Sequence, residues 1–386
     1  MQTILDSLKE MSVADWIFTG IFLFIFLFRL YYLLLFSGRV VFRSRKEVII
    51  NQKANQPITV FLTVRNEEDS LRRLLPQLLS VKDVNYDVVV VDDYSLDNTF
   101  TVLGSFKQCP NFRFSSLNEE TRFSVKLAQN IALKAAQNDW VLSLPIETTE
   151  VDKDWLNGFS INTTTDNRNV MMGYSGIKNK PGYYNLLCRT ENFLQQLKSL
   201  GYVANGIPFV YFEDNVAFRK EEYFKLGGYG QLTKEAYANL ELIINQFITK
   251  KKTVLLFNEH ARITKDVETN RDDFYNLLNR SFRIEKYLPA WKRTFMGFDT
   301  FTNVLYSPLL IVMFVLYFKL CPLLTLLAGF KIMLHIILLK ITLNRLRERK
   351  IFLSSLVYGW LIPYFKPIYK WYFNQSAHRN RWKIKV

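Results

Sequence analysis

Cysteine and histidine are scarce, with three of each in 386 residues. Cys109, Cys188 and Cys321 lie far apart with no Cys-x-x-Cys spacing, and His260, His335 and His378 are equally scattered. A disulfide framework and a Cys/His zinc site are thereby excluded, because both need ligands at recurring short spacings. A reducing, cytoplasmic setting fits this usage. Internal repeats and low-complexity tracts are also lacking, and 49% apolar content supplies a sizeable core. Acidic residues are outnumbered, 35 against 50 basic, for a formal charge of +15. Residues 51–301 nevertheless hold 31 basic and 30 acidic side chains, so the surplus flanks the apolar ends. A near-neutral middle lacks the cation cluster that phosphate neutralisation requires, which excludes nucleic acid as the partner and points to a lipid bilayer.

Residues 16–37 carry one charge, Arg29, and about 20 apolar residues suffice to cross a bilayer as a helix. A signal peptide is disfavoured, since Asp6, Glu10 and Asp15 precede the segment against Lys9 and no small-residue cleavage site follows. Arg39, Arg43, Arg45 and Lys46 follow it, which places what comes next on the cytoplasmic side and residues 1–15 outside. Residues 302–343 are about twice the crossing length, with Lys319, Cys321 and Pro322 near the middle, and read as a helical hairpin. Arg345, Arg347, Arg349 and Lys350 return the chain to the same side. Residues 351–373, interrupted by Pro363, Lys366, Pro367 and Lys370 and rich in Trp and Tyr, read as an interfacial helix; a full crossing is the alternative. Residues 374–386 form a basic cytoplasmic tail. These readings add up to a multi-pass protein of the cytoplasmic (inner) membrane with its main domain, residues 50–300, inside the cell.

That domain alternates strand-like runs at 58–64, 86–92, 111–116 and 139–144 with helical runs at 67–80, 97–106 and 123–138. Continuous apolar strands are buried on both faces, as in a mainly parallel sheet covered by helices, so the fold class is α/β. Ligands of such sheets bind beyond the carboxyl ends of the strands. Two polar clusters stand there, Thr63-Val64-Arg65-Asn66-Glu67-Glu68 and Asp92-Asp93-Tyr94-Ser95-Leu96-Asp97-Asn98-Thr99. TVRNEED followed by VVVVDDYSLDNT resembles the family 2 glycosyltransferases of the nucleotide-diphospho-sugar transferase (GT-A) fold, and the resemblance covers roughly residues 57–290 plus the membrane helices.

The resemblance implies that Arg65, Glu67, Asp92 and Asp93 line the nucleoside pocket of a nucleotide-diphospho-sugar, and that Lys126 approaches its diphosphate. It also implies an acceptor side in residues 215–229, beginning at Asn215, and a membrane lipid or glycan as acceptor. Three motifs depart from the family pattern. Its Asp-x-Asp, which holds Mg2+ or Mn2+ against the diphosphate, is replaced by Pro145-Ile146-Glu147, leaving Glu147 as a lone metal ligand. The acidic run supplying the general base is reduced to Glu241, with Glu235 upstream, and Glu213-Asp214 offers a substitute pair. Of the cluster that closes over diphosphate and acceptor, Arg280 remains. Two functions follow: sugar transfer at the membrane, or a catalytically degenerate relative that binds or scaffolds a protein partner.

Overall fold

The computed structural model describes residues 12–42, 56–82, 84–120, 125–152, 154–163, 168–256, 260–317 and 320–377. The residues before Ser12, the cations Arg43, Arg45, Lys46 and Lys319, and His378 with the rest of the basic tail lie outside them. The chain divides into two units, residues 44–287 with 375–386, and residues 1–43 with 288–374.

The second of these begins with a long helix, α1 (Val13–Phe42), apolar enough to cross a membrane. Ser12 and Asp15 form a capping box at its start, each satisfying a backbone N–H that the first turn leaves without a helical partner.

The larger unit is an α/β layer structure. Its strands are β1 (Ile58–Val64), β2 (Tyr86–Asp92), β3 (Phe112–Ser116), β4 (Trp140–Ser143), β5 (Val170–Met172), β6 (Tyr174–Ile177), β7 (Val216–Arg219), β8 (Thr253–Leu255) and β9 (Arg262–Lys265). Seven form one sheet in the order β3-β2-β1-β4-β7-β5-β8, and β6 pairs with β9. β3, β2, β1 and β4 are parallel, while β7 enters antiparallel between β4 and β5. The helices between the first strands are α2 (Glu68–Leu79), α3 (Thr99–Ser105) and α4 (Val125–Ala135). α2 turns Leu71, Leu74, Leu75 and Leu78 onto the sheet, a 3.6-residue stripe whose burial contributes about 2 kcal/mol per side chain. Pro76 inside it faces solvent, where its missing N–H has least effect. β3 departs from the expectation of burial on both faces: it is the sheet edge, and of its residues only Phe112 is buried.

After α5 (Trp155–Ser160), the long helix α6 (Tyr183–Ala204) buries polar residues, and their partners explain why. β6 pairs only with β9, so its other edge needs hydrogen bonds. Arg189 Nε donates to Ile177 O at 3.2 Å, Asn192 Nδ2 to Ser175 O at 3.0 Å, and the Ser175 N–H donates to Gln196 Oε1 at 3.1 Å. Side chains of α6 thus do for β6 what a neighbouring strand would. The short α7 (Lys220–Lys225), α8 (Leu240–Phe247) and α9 (Arg271–Tyr287) complete this unit.

In the other unit, α10 (Ala290–Leu316) and α11 (Cys321–Arg345) join α1 as helices long and apolar enough to cross a membrane. Phe22, Ile25 and Phe26 of α1 pack with Tyr306, Met313 and Leu324 in one apolar cluster. Arg29 of α1 is ion-paired with Asp299 of α10 at 2.6 Å. The last helix, α12 (Phe352–Ala377), runs unbroken through Pro363 and Pro367.

Candidate active site

At the carboxyl ends of β1 and β2, two turns lock together. Asn66 and Tyr94 both adopt positive φ, 54° and 59°, which reverses the chain sharply just beyond each strand. The Asn66 N–H donates to Ser95 Oγ at 2.8 Å, and Asn66 Oδ1 accepts from the Leu96 N–H at 2.7 Å. The Glu67 N–H donates to Thr99 Oγ1 at 2.9 Å, and Asn98 Nδ2 to Glu68 Oε2 at 3.0 Å. Arg65, Glu67 and Asp93 therefore follow the carboxyl ends of two adjacent strands, with Arg65 and Glu67 partly exposed and Asp93 buried at 3%. Arg65 is paired with Glu120, beyond β3, at 2.6 Å, and Glu120 first, then Asp93, favour its charged form. The Glu67 carboxylate makes no hydrogen bond or ion pair among the described residues, so it is an available acceptor.

Asp92 is engaged within its own turn. Its Oδ1 accepts from the Ser95 N–H at 3.1 Å and its Oδ2 from Ser116 Oγ at 2.9 Å. It is 1% exposed and fixes the turn that presents Asp93.

A second group of charges stands where β4 finishes and β7 starts, the Asn215 N–H donating to Ser143 O at 3.0 Å, and the end of β9 in the smaller sheet adds to it. Glu147 is held by its backbone, whose carbonyl accepts from the Asp266 N–H at 2.8 Å. Burial raises its carboxyl above the ordinary range; Lys265 opposes the shift, and Asp214 and Glu67 add to it. Lys265 at the end of β9 pairs with Asp214 at 2.5 Å. Burial by itself would raise the Asp214 carboxyl, but Lys265 and then Arg280 outweigh it and hold it below the usual value. Glu213 goes the other way: burial, then the charge of Glu241, push it up to about 8, although Arg280 opposes them and the Leu240 N–H donates to Glu213 Oε2 at 2.8 Å. Neighbouring carboxyls driven apart in this way are a hallmark of acid–base sites.

Several other expected residues are placed elsewhere than at a substrate surface. Glu241 is fully buried and its Oε1 accepts from Arg280 Nε at 2.8 Å. Arg280 is correspondingly a buried counter-ion, its guanidinium over the Phe212 ring at 5.2 Å. Lys126 does not reach toward Arg65 and Asp93; it is 4% exposed and donates to the carbonyls of Glu235 and Thr233. Burial lowers the pKa of its ammonium, while Glu235, Glu241 and Glu213 oppose that shift. Glu235 accepts from Tyr287 Oη at 3.2 Å at the fringe of this group. Asn215 is sealed, accepting from Trp155 Nε1 at 2.9 Å and donating to Tyr174 O at 3.0 Å and Ala261 O at 2.8 Å. The segment 215–229 is thus a central strand and a short helix. Lys265 was not anticipated, and no motif in the sequence marks it.

The three cysteines are free. His260, isolated in the sequence, is not isolated in space: its Nδ1 lies 2.9 Å from Asp152 Oδ1, and with Asp154 these side chains offer ligand atoms within 4.8 Å of one another. That cluster is built on residues exposed or half-exposed to solvent.

Residues 59–144, spanning β1 to the end of β4, match the family model described as Glycosyl transferase family 2. Over 119 residues the chain is 29% identical to the poly-beta-1,6-N-acetyl-D-glucosamine synthases of Staphylococcus aureus strains MSSA476 and COL, covering 31% of this chain and 28% of theirs. The chain therefore spans less than a third of the length of the curated relatives it matches. Among solved structures, mannosyltransferase PcManGT from Pyrobaculum calidifontis in complex with GDP-Man and Mn2+ superposes with a TM-score of 0.52 at 13% identity, over 86% of this chain and 99% of that one. This likeness shows a GT-A fold. S. aureus TarS 1-349 in complex with UDP aligns at a TM-score of 0.42 and 15% identity, over 86% of this chain and 94% of that one.

Proposed function

We propose that this chain, which carries a glycosyl transferase family 2 domain, moves a sugar from a nucleotide-diphospho-sugar onto a membrane-borne lipid or glycan, with the domain on the cytoplasmic side. The observation that carries this reading is the locking of the β1 and β2 turns, which gathers Arg65, Glu67 and Asp93 at the strand ends. Carboxylates at that edge suit hydrogen bonds from a base and a ribose, and Arg65 suits an anionic donor. Glu213 is the group best suited to take the acceptor's proton. It stands beside Asp214 just ahead of β7 and is largely buried, 9% exposed; with its pKa pushed up to about 8 it would act as a base through its ionised fraction, which grows as pH rises toward that value.

The donor set at the end of β4 does not fit a divalent cation. Burial favours the protonated form of Glu147, and although Asp214 and Glu67 are among its electrostatic neighbours, so is Lys265, an ammonium already paired with Asp214.

The test is release of nucleoside diphosphate by the full chain in detergent, offered uridine and guanosine diphospho-sugars together with a membrane extract as acceptor. Release with at least one donor, strongly reduced in Glu213→Gln, is expected. Binding without release across the whole panel would favour the scaffold reading, and neither binding nor release would contradict the nucleotide site itself.

A further inference from the structure

The turn after β4, whose donor set does not fit a divalent cation, has a cation of the chain's own beside it. The Glu147 carbonyl accepts from the Asp266 N–H at 2.8 Å, and the Thr149 N–H donates to Thr264 O at 2.9 Å. These two bonds flank the bridge that sets Lys265 directly opposite Thr148. Backbone pairing, and not the reach of a loose side chain, therefore brings the end of β9 to this turn. Asp214, two residues ahead of β7, comes to the same place because β7 pairs with β4, and its Oδ2 accepts from Lys265 Nζ at 2.5 Å.

An ammonium has three N–H donors, and among the described residues Lys265 uses one, on Asp214. Its Nζ also lies 5.7 Å from the centroid of the Phe212 ring, which stabilises a cation without cancelling it. Two donors are left for an acceptor from outside the protein. The pair is not sealed: 11% of the Lys265 side chain and 12% of that of Asp214 are exposed, whereas Asn215, next in the chain, is completely enclosed. Glu147, whose charged neighbours are Lys265, Asp214 and Glu67, is partly exposed, and so is Glu67. The lysine is thereby linked to the turn that follows β1, the strand paired with β4. Its side chain keeps contact with solvent beside the carboxyl ends of the strands, where ligands of open α/β sheets bind.

A divalent cation at such a turn would join protein carboxylates on one side to diphosphate oxygens on the other. An ammonium held by one carboxylate and left with two donors makes the same connection without a metal. We propose that Lys265 binds the diphosphate of the nucleotide-diphospho-sugar in place of a divalent cation, with Asp214 holding the ammonium in position. The charge of Asp214 is compensated by two cations, Lys265 and then Arg280, so it does not repel an incoming phosphate as a free carboxylate would. The proposal rests on the sugar-nucleotide reading above and adds to it the group that meets the diphosphate.

The experiment is calorimetry of the full chain in detergent with EDTA present, against uridine and guanosine diphospho-sugars and then against the nucleoside diphosphate and the nucleoside of whichever donor binds. The wild type is expected to bind donor despite the chelator. Lys265→Met should bind donor and nucleoside diphosphate about tenfold or more weakly while its affinity for the nucleoside is unchanged, and Lys265→Arg should retain the donor. The double variant Lys265→Met with Asp214→Asn leaves no unpaired buried carboxylate, so it keeps the test valid if the single variant does not fold; the same selective loss is expected of it. Equal weakening of nucleoside and nucleoside diphosphate, undiminished diphosphate binding by the double variant, or wild-type donor binding that vanishes with EDTA would each overturn the proposal. Failure of the wild type to bind any donor, with EDTA or with added Mn2+, would instead overturn the sugar-nucleotide reading, so the two failures are distinguishable.

Discussion

Replacing Glu213 by glutamine should raise stability and remove activity in the same molecule. In the fold the carboxyl titrates at about 8 instead of its ordinary 4.5, because burial and then the nearby Glu241 disfavour its charge. Between those two pH values the unfolded chain has lost this proton while the folded chain keeps it. The stability tied to the protonated group is complete below about pH 4.5 and is lost as pH rises to about 8. At about 1.4 kcal/mol per pH unit, the full loss is about 5 kcal/mol, a ceiling that coupling to Glu241 reduces to a few. Glutamine imitates the neutral acid, and its carbonyl can still accept from the Leu240 N–H, so Glu213→Gln should lack this loss. Thermal unfolding of the full chain in detergent, measured from about pH 5 to about pH 9, reads the difference directly. The wild-type midpoint should fall across that range relative to the variant, with the two nearly equal at the acid end. If Glu213 is also the base, the variant should lose about 10²–10⁴-fold in turnover while still binding donor. Parallel pH profiles for the two proteins would refute the burial argument, and undiminished turnover would refute the assignment of the base.

Asn215→Ala should destabilise the α/β unit by about 3 kcal/mol or more, because Trp155 Nε1 and the carbonyls of Tyr174 and Ala261 lose a buried partner; urea unfolding would show it. Asn215 also holds a φ of 60°, a conformation that asparagine tolerates better than alanine. Gly173→Ala should act on the same place by crowding, at about 1–3 kcal/mol, since a Cβ there would overlap Asn215 Nδ2 and Ala261 O. Chelation of divalent ions should change donor affinity less than about tenfold, given that burial favours protonated Glu147 and that Lys265 occupies Asp214; complete loss of calorimetric binding on chelation would contradict that reading.

The parallel half of the sheet was legible because its strands are continuous apolar runs ended by polar turns: β1 and β2 occupy the expected residues 58–64 and 86–92. The rest was not, because β5 and β8 of that sheet are three residues long and β6 of the smaller sheet four, too short for a period to emerge. Nor does the composition of α6 announce a core helix, since its buried face is polar and makes sense only once β6 lies against it. At the site, the double motif pointed to Arg65, Glu67 and Asp93, but the sequence does not reveal that Asp92 pins its own turn or that Asp93, 3% exposed, is buried beside it while Glu67 is partly exposed. Lys265 and Asp214 are 51 residues apart and meet only through the pairing of distant segments. For the same reason, the meeting of His260 with Asp152 has no local signature.

Calorimetry of the full chain in detergent against uridine and guanosine diphospho-sugars, comparing wild type with Glu67→Gln and Asp93→Asn, tests the nucleoside site most directly. Saturable binding of at least one donor, weakened about tenfold or more by either substitution with the fold intact by circular dichroism, is the predicted result. Donor binding that neither substitution alters would contradict it.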